Sequence, residues 1–349
     1  MLGILRFFLA SCVVVFHFSG SVPTIGILAV NFFYVISGYL MTLVLHETYR
    51  FNPVSFFSNR ALRLYPAQLA ICMVSIPFLW GLSNAQSFHP LWGTAQWQDW
   101  IGNILIFPWT FLPSQHFRIS PTTWSVAVEI CCYFLLWLFV SRRAWTAISS
   151  VGLAILWQAY QFHVGADQGS HYFPVSAAML PFSLGAASYF ATDMLSRSKS
   201  RKHASTVNQL AILISVIAVF VINWRLALRF DASPFYGLFY YVNDILACVS
   251  VIILHGKKYH GITKNISLWF GDLSYPVFLC QWLGAFIAWH IIGIGSPMRS
   301  WWVFLIGYVI AVGLGVCIVL LVDRPIQALR ARVREIALAP RTPLRQSLN

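Results

Sequence analysis

The sequence predicts an all-α, polytopic membrane protein of about ten transmembrane helices, with the N-terminus and the C-terminus cytoplasmic. Three observations carry this. The 349 residues are 58% hydrophobic and only 9% charged, whereas soluble domains carry roughly 25% charged residues. The apolar residues fall into runs close to the ~20 that cross a hydrocarbon core. The basic residues concentrate in every second connection.

The segments are placed near 3–20, 24–46, 64–82, 123–140, 146–163, 174–192, 207–222, 236–254, 273–292 and 300–322. The first, within MLGILRFFLASCVVVFHFSG, lacks a basic start and a small-x-small cleavage site, so it reads as a retained helix. Between the third and fourth segments, 98–112 is too short to span and is broken by Pro108. It reads as an interfacial or re-entrant piece. With the N-terminus inside, 19 of the 23 Lys and Arg fall on the cytoplasmic side and only Arg118, Arg225, Arg229 and Arg299 on the other. A wrong helix count would scramble that alternation. Residues 1–325 form the membrane domain, and 326–349 form a basic cytoplasmic tail whose PIQALRARVREIA suits an anionic lipid surface.

Composition also excludes functions. The net charge of +13 sits in short loops, where it sorts topology rather than binding nucleic acid. The seven cysteines lie inside apolar runs without metal-ligand spacing, so no metal site and no disulfide framework is expected. Fifteen Trp and 28 Phe suit lipid-facing and interfacial positions.

Ionisable groups inside spans are costly and mark candidate sites. Arg6 and His17 are eleven residues apart, about 20° from a whole number of turns, so they share a face roughly 16 Å apart along the axis. Arg6 alone also suits a snorkelling anchor, and His17 a histidine held by a backbone carbonyl. Histidine is the usual general base near neutral pH. Glu129 shares a face with Ser125 in TTWSVAVEICCYFLL, near Trp124. A carboxylate among Val, Ile and Cys needs a partner, either His17, Arg6 or another inward polar group, unless it simply clamps two helices. Arg60 and Arg63 stand at i and i+3 at the start of the third segment. Two guanidinium forks suit phosphate, and they equally suit a topological anchor. Asn31, Ser37, Gly38 and Tyr39 in NFFYVISGYLM allow close helix approach. Asn243 and Asp244 place another acid in the eighth segment, and His290 reads as interfacial.

Together these residues resemble the acyltransferase type 3 family of bacterial integral-membrane O-acyltransferases. The resemblance lies in Arg6 and His17 within RFFLASCVVVFH, in NFFYVISGYLM, in Arg60 and Arg63 followed by LYPA, in TTWSVAVEICCYFLL, in LSYPVFLCQ with Tyr275, and in VDRPIQ. It covers nearly the whole chain in the family's order. It implies transfer of an acyl group, acetyl in the usual case, from cytoplasmic acyl-CoA to a hydroxyl of a cell-envelope or exported glycan, or of a lipid-linked sugar. Acyl-CoA is then a co-substrate, with no permanently bound cofactor, and the location is the bacterial inner membrane. By position, His17 would be the catalytic base and Glu129 would position a reacting group. Arg6, Arg60 and Arg63 would hold the donor, with Ser37, Gly38, Trp124, Ser125 and Tyr275 in support.

Two departures stand out. Gln281 occupies a place where the family often has His, and Arg324 separates Asp323 from the final Pro. No esterase-like domain is expected after the last helix. Two rivals remain at this stage: a transporter or flippase for an envelope precursor, and a non-catalytic membrane scaffold. The residues name neither the acceptor nor the acyl chain length, and they leave open direct transfer against an acyl-histidine relay, and the oligomeric state.

Overall fold

The computed structural model describes residues 1–106, 116–198, 206–254 and 261–338. Among them the chain is helical, with no strand beyond a single bridge between Trp92 and Phe117. In chain order the helices are α1 (Leu2–Phe18), α2 (Ile25–Val44), α3 (Pro53–Gly81), the short α4 (Ala85–Phe88), α5 (Trp97–Leu105), α6 (Thr123–Leu135) and α7 (Ala144–His163). They continue with α8 (Val175–Ser198), α9 (Thr206–Phe230), α10 (Leu238–Leu254), α11 (Gly261–Ile292), α12 (Trp301–Ile318) and α13 (Arg324–Leu338).

Each of the ten predicted segments falls on one of these helices. Seven of the helical stretches are long and apolar enough to cross a membrane, and α1 and α10 are apolar but shorter. At 17 residues each, those two rise roughly 26 Å, the lower end of a spanning length. All seven cysteines are free thiols.

Two helices begin earlier than the apolar runs suggested. α3 starts at Pro53, not near 64, because Asn52 Oδ1 accepts the Ser55 backbone N–H at 3.1 Å and Pro53 occupies the first turn. Arg60 and Arg63 therefore sit two to three turns inside α3 rather than at its start. α11 likewise starts at Gly261, not near 273. The described part of the basic tail, up to Leu338, lies on α13, which packs against α3. α10 runs unbroken through the buried Asp244. Of the predicted re-entrant piece, 98–105 falls on α5, while Pro108 and the rest of 107–112 lie outside the described residues. So do Lys199, Arg201, Lys202, Lys257, Lys258, Arg341 and Arg345, and the side chain of Arg197.

Small residues set the helix spacing. A Cβ on Gly38 of α2 would stand 2.2 Å from the Phe182 carbonyl oxygen, and one on Gly185 of α8 would stand 2.1 Å from that of Val35. Each glycine thus admits the other helix's backbone. Amides then tie α2 to α10: Asn31 donates to the Tyr240 carbonyl at 3.4 Å and Asn243 to that of Leu28 at 2.9 Å.

The connection after α3 folds over one end of the bundle. The Arg118 backbone N–H donates to the Leu91 carbonyl at 2.8 Å, and Trp92 Nε1 donates to Arg118 and Ile119 carbonyls. Asn103 accepts the Ile119 N–H at 2.9 Å. Ser120 and Thr122 hydroxyls donate to the Leu279 and Phe278 carbonyls of α11. His89 is held here: its Nδ1 accepts the Leu91 N–H at 3.0 Å, and its ring meets the Trp282 ring edge-on at 4.2 Å.

Two predictions follow from this packing. Gly38→Ala forces backbone apart and costs about 1–3 kcal/mol. It lowers the detergent melting temperature, while Ala at the open Gly152 leaves it unchanged; equal melting of both variants contradicts the close approach. His89 supplies the second. Burial, helped by the nearby His17, Arg118 and Arg299, pushes its pKa from 6.5 down to about 4. Between those values the unfolded chain binds the extra proton and the fold does not, so this contribution to stability is lost as pH falls through the window. Above pH 6.5 it is flat. His89→Gln should therefore flatten the acid limb of melting temperature against pH, and an unchanged limb would show that His89 is not buried in its neutral form.

Candidate active site: four cavities along the first helix

Helical phase puts Arg6, Val13 and His17 on one face of α1, and that face looks onto a row of four cavities. The first, ≈ 930 Å³, is a mouth walled by Arg6, Arg60, Arg63, Lys264, Arg330 and Glu129. The second is a waist of ≈ 60 Å³ between Arg6, Ser37, Ser125, Glu129, Tyr275 and Phe278. The third is a chamber of ≈ 140 Å³ that includes His17, Trp124, Ser125 and Phe278. The fourth is a vestibule of ≈ 740 Å³ with His17, His89, Arg118, Trp124 and Trp282. Neighbouring cavities share walls. Arg6, Ser37, Glu129 and Tyr275 bound both mouth and waist; Ser125 and Phe278 bound waist and chamber; His17, Thr122 and Trp124 bound chamber and vestibule.

The mouth is cationic but not idle. Arg63 forms an ion pair with Asp272, donating to its Oδ1 at 3.0 Å, and donates to the Gly271 carbonyl at 3.3 Å. Arg60 donates to Asn59 Oδ1 at 3.0 Å, and its Nε is buried without an acceptor. The two arginines do face one cavity, yet half of Arg63's fork is already engaged. α1 approaches α11 closely here: a Cβ on Gly3 would fall 1.8 Å from the Ser267 carbonyl oxygen, and one on Gly271 would fall 3.2 Å from the Gly3 Cα.

At the waist, Glu129 Oε1 accepts from Ser37 Oγ at 2.6 Å and from the Tyr133 hydroxyl. Neither Arg6 nor His17 forms an ion pair with it within the described residues. Ser125 shares the Glu129 wall but donates to the Thr122 carbonyl at 3.0 Å. Gly38 lies against Phe182, so its part is packing. Tyr275 donates its hydroxyl to the Leu64 carbonyl at 3.2 Å. Trp124 packs on Tyr172 and Phe173. Asp323 is buried at the end of the turn after α12, and Arg324 lies over the Trp269 ring at 5.2 Å. His290 bonds the Phe286 and Ser83 carbonyls, away from the cavities.

At the far end, His17 Nδ1 and Gln281 Oε1 are 2.8 Å apart. The Gln281 amide nitrogen donates to the Phe278 carbonyl at 2.8 Å, so its oxygen is the atom facing the imidazole. An amide oxygen only accepts, so Nδ1 carries the proton and Nε2 holds a lone pair. Gln281, a departure from the family pattern, therefore fixes the tautomer that a general base requires. Trp282 stacks near His17 with ring centroids 5.2 Å apart, and its Nε1 is buried without a partner.

Sequence reasoning missed three residues. His89 and Arg118 sit on a connection with no periodicity to place them, and only the loop's folding brings them beside His17. Arg330 looked like one of several tail charges. No cluster of three or more metal-binding side chains occurs among the described residues.

Comparison with known proteins gives the chain's family. A family model described as an acyltransferase domain matches residues 2–321. BcsY of Komagataeibacter xylinus, named for a suspected membrane-bound transacylase activity, is 25% identical over 295 residues, covering 75% of this chain and 67% of BcsY. The O-acetyltransferase OatA of Staphylococcus aureus (strain NCTC 8325 / PS 47) is 25% identical over 298 residues, covering 79% of this chain. The chain spans about half of OatA, 48% of its length. No solved structure matches the chain. The family match spans almost every residue that walls the four cavities, and the chain belongs to the acyltransferase type 3 family of membrane acyltransferases.

Proposed function

We propose that the protein is a membrane O-acyltransferase that moves an acyl group, acetyl in the simplest case, from cytoplasmic acyl-CoA to a hydroxyl of a cell-envelope or exported glycan, or of a lipid-linked sugar. The observation that carries this is the row of cavities, cationic at one end and ending on a tautomer-fixed histidine at the other. In this reading ten helices cross the bacterial inner membrane, both termini are cytoplasmic, and the mouth opens to the cytoplasm. The 19-to-4 distribution of basic residues supports that orientation.

The donor's phosphates dock among Arg6, Arg60 and Arg63, where charge-assisted bonds are strong. Its pantetheine arm threads the waist beside Glu129, Ser37 and Tyr275, and the thioester arrives near His17. The acceptor enters the vestibule, where Trp124 and Trp282 offer faces to a sugar ring. His17 Nε2 takes the acceptor hydroxyl's proton as the oxygen attacks the thioester carbonyl. The tetrahedral intermediate collapses, the C–S bond breaks, and the imidazolium returns the proton to the departing thiolate. The products are the acyl ester and free CoA. Glu129, held by Ser37 and Tyr133, balances the charge of Arg6 across the waist.

A transporter reading meets a physical obstacle. A waist of ≈ 60 Å³ has room for only a few waters. A thin arm can widen it locally, whereas a sugar-sized cargo requires the helices to part.

The test is a transfer assay with purified protein, acetyl-CoA and envelope glycans, read by mass spectrometry. An acyl increment on one sugar is expected from the wild type. His17→Ala should lower kcat by about 10²–10⁴-fold, the usual worth of a general base, and full activity in that variant would sink the mechanism. Gln281→Leu should lower kcat with little change in the donor KM, while Gln281→Glu, which keeps the acceptor oxygen, should retain more activity. Equal rates for Leu and Glu would show that Gln281 does not set the tautomer.

A further inference from the structure

We propose that Arg330, on the helix after the last apolar span, is a phosphate ligand of the donor site, held in place by Asn59. This rests on the acyl-CoA reading above and extends it to a segment that the reading does not use.

Three observations converge. First, Arg330 lines the mouth together with Arg60, Arg63 and Lys264. Second, the buried Asn59 amide joins the two arginines: its oxygen accepts from Arg60 at 3.0 Å, and its nitrogen donates to the Arg330 carbonyl at 3.1 Å. Asn59 thereby fixes α13 on α3 at the point where both guanidinium groups reach the cavity. Third, the Nε atoms of Arg60 and Arg330 are both buried without an acceptor. Buried donors left unmade are costly, and these two belong to charged groups that share one mouth.

The charges of that mouth point the same way. Arg6, Arg60, Arg63, Lys264 and Arg330 share the cavity wall with two acids, Glu129 and Asp272, and a third acid, Asp323, stands near Arg63 and Arg330, so cations still outnumber acids. Glu129 is occupied by two hydroxyls, and Asp272 by Arg63. Like charges gathered in a half-buried cavity repel, and a polyanion relieves that repulsion. The diphosphate and 3′-phosphate of CoA are such a polyanion. A tail lying free on the bilayer needs neither the Asn59 clip nor a buried, unpartnered Nε.

The experiment measures equilibrium binding of CoA and of 3′-dephospho-CoA to the full-length protein in neutral-lipid nanodiscs. Wild type, Arg330→Gln, Arg330→Lys and Arg332→Gln are compared, with melting curves on each. Arg332 is an exposed neighbour on the same helix that does not line the mouth. Arg330→Gln should weaken CoA binding about 10- to 100-fold, the worth of a charge-assisted bond. Arg330→Lys should fall between, Arg332→Gln should match the wild type, and kcat at saturating donor should stay within about two-fold by the uniform-binding criterion.

Unchanged CoA affinity in folded Arg330→Gln and Arg330→Lys overturns the proposal while leaving the donor reading intact. Wild type that binds no CoA overturns both. The same phosphate chemistry occurs in lipid headgroups. If Arg330→Gln leaves CoA affinity unchanged but weakens association with vesicles containing phosphatidylglycerol, the ligand is lipid and the proposal fails.

Discussion

The contact of α1 with α11 is the interface on which the site depends. At one end, Gly3 and Gly271 remove the side chains that would hold the helices apart, so the α11 backbone passes within van der Waals reach of α1. At the other end, the His17–Gln281 bond joins the same two helices. Between them, Ser11 meets Tyr308 of α12 at 2.7 Å. α1 is thus pinned at both ends against α11, which carries Pro276 in its interior. The face of α1 that carries Arg6 and His17 opens onto the cavities alongside this contact. A shift of α1 along its axis would move Arg6 out of the mouth and His17 away from its tautomer-setting partner together.

Lipid explains why polar groups at the waist and between helices are tied to one another. Water cannot satisfy a hydroxyl or amide at depth, so partners must come from protein. Ser37, Tyr133 and Glu129 form one closed set, and Asn31 and Asn243 cross-brace α2 and α10. At the mouth, the Nε donors of Arg60 and Arg330 lack acceptors. Arg63 differs because Asp272 already fills the role of an anion beside it. In the proposed reading, a phosphate arriving there competes with a carboxylate, so donor binding would exchange partners rather than fill an empty socket.

The parts of this site carried by helical periodicity were legible in the sequence. The eleven-residue spacing of Arg6 and His17 and the placement of Ser125 and Glu129 on one wall need only the pitch of a helix. The start of α3 was not legible, because SFFSNRALR is too polar to join an apolar run. Yet Ala, Leu and Arg are good helix formers, and Asn52 with Pro53 supplies the cap and first turn. Glu129's actual partners, Ser37 and Tyr133, combine one local and one distant residue, and the distant one depends on how α2 packs against α6. Gln281 looked like a weakness when counted as a missing histidine. Its physical role appears only once the amide nitrogen is seen to be committed to Phe278, which leaves the oxygen for His17. His89, Arg118 and Arg330 lie where sequence separation carries no geometric information.

The narrowness of the waist has a chemical use in the proposed reaction. A thioester near a general base is open to attack by any hydroxyl, water included, so transfer to a sugar requires the base to be wet on the acceptor side only. A waist of ≈ 60 Å³ walled by Phe278, Tyr275, Ser37 and Glu129 separates the large mouth from the chamber. The vestibule beyond His17 is large but lined by Trp124 and Trp282, surfaces that a sugar face covers as it displaces water. The order that follows is donor arm through the waist first, which plugs the mouth side, and acceptor over the aromatic faces second, which dries the other. His17 then meets one hydroxyl instead of bulk water, and the bundle's tight helix packing, rather than any extra catalytic group, supplies the selectivity for transfer over hydrolysis.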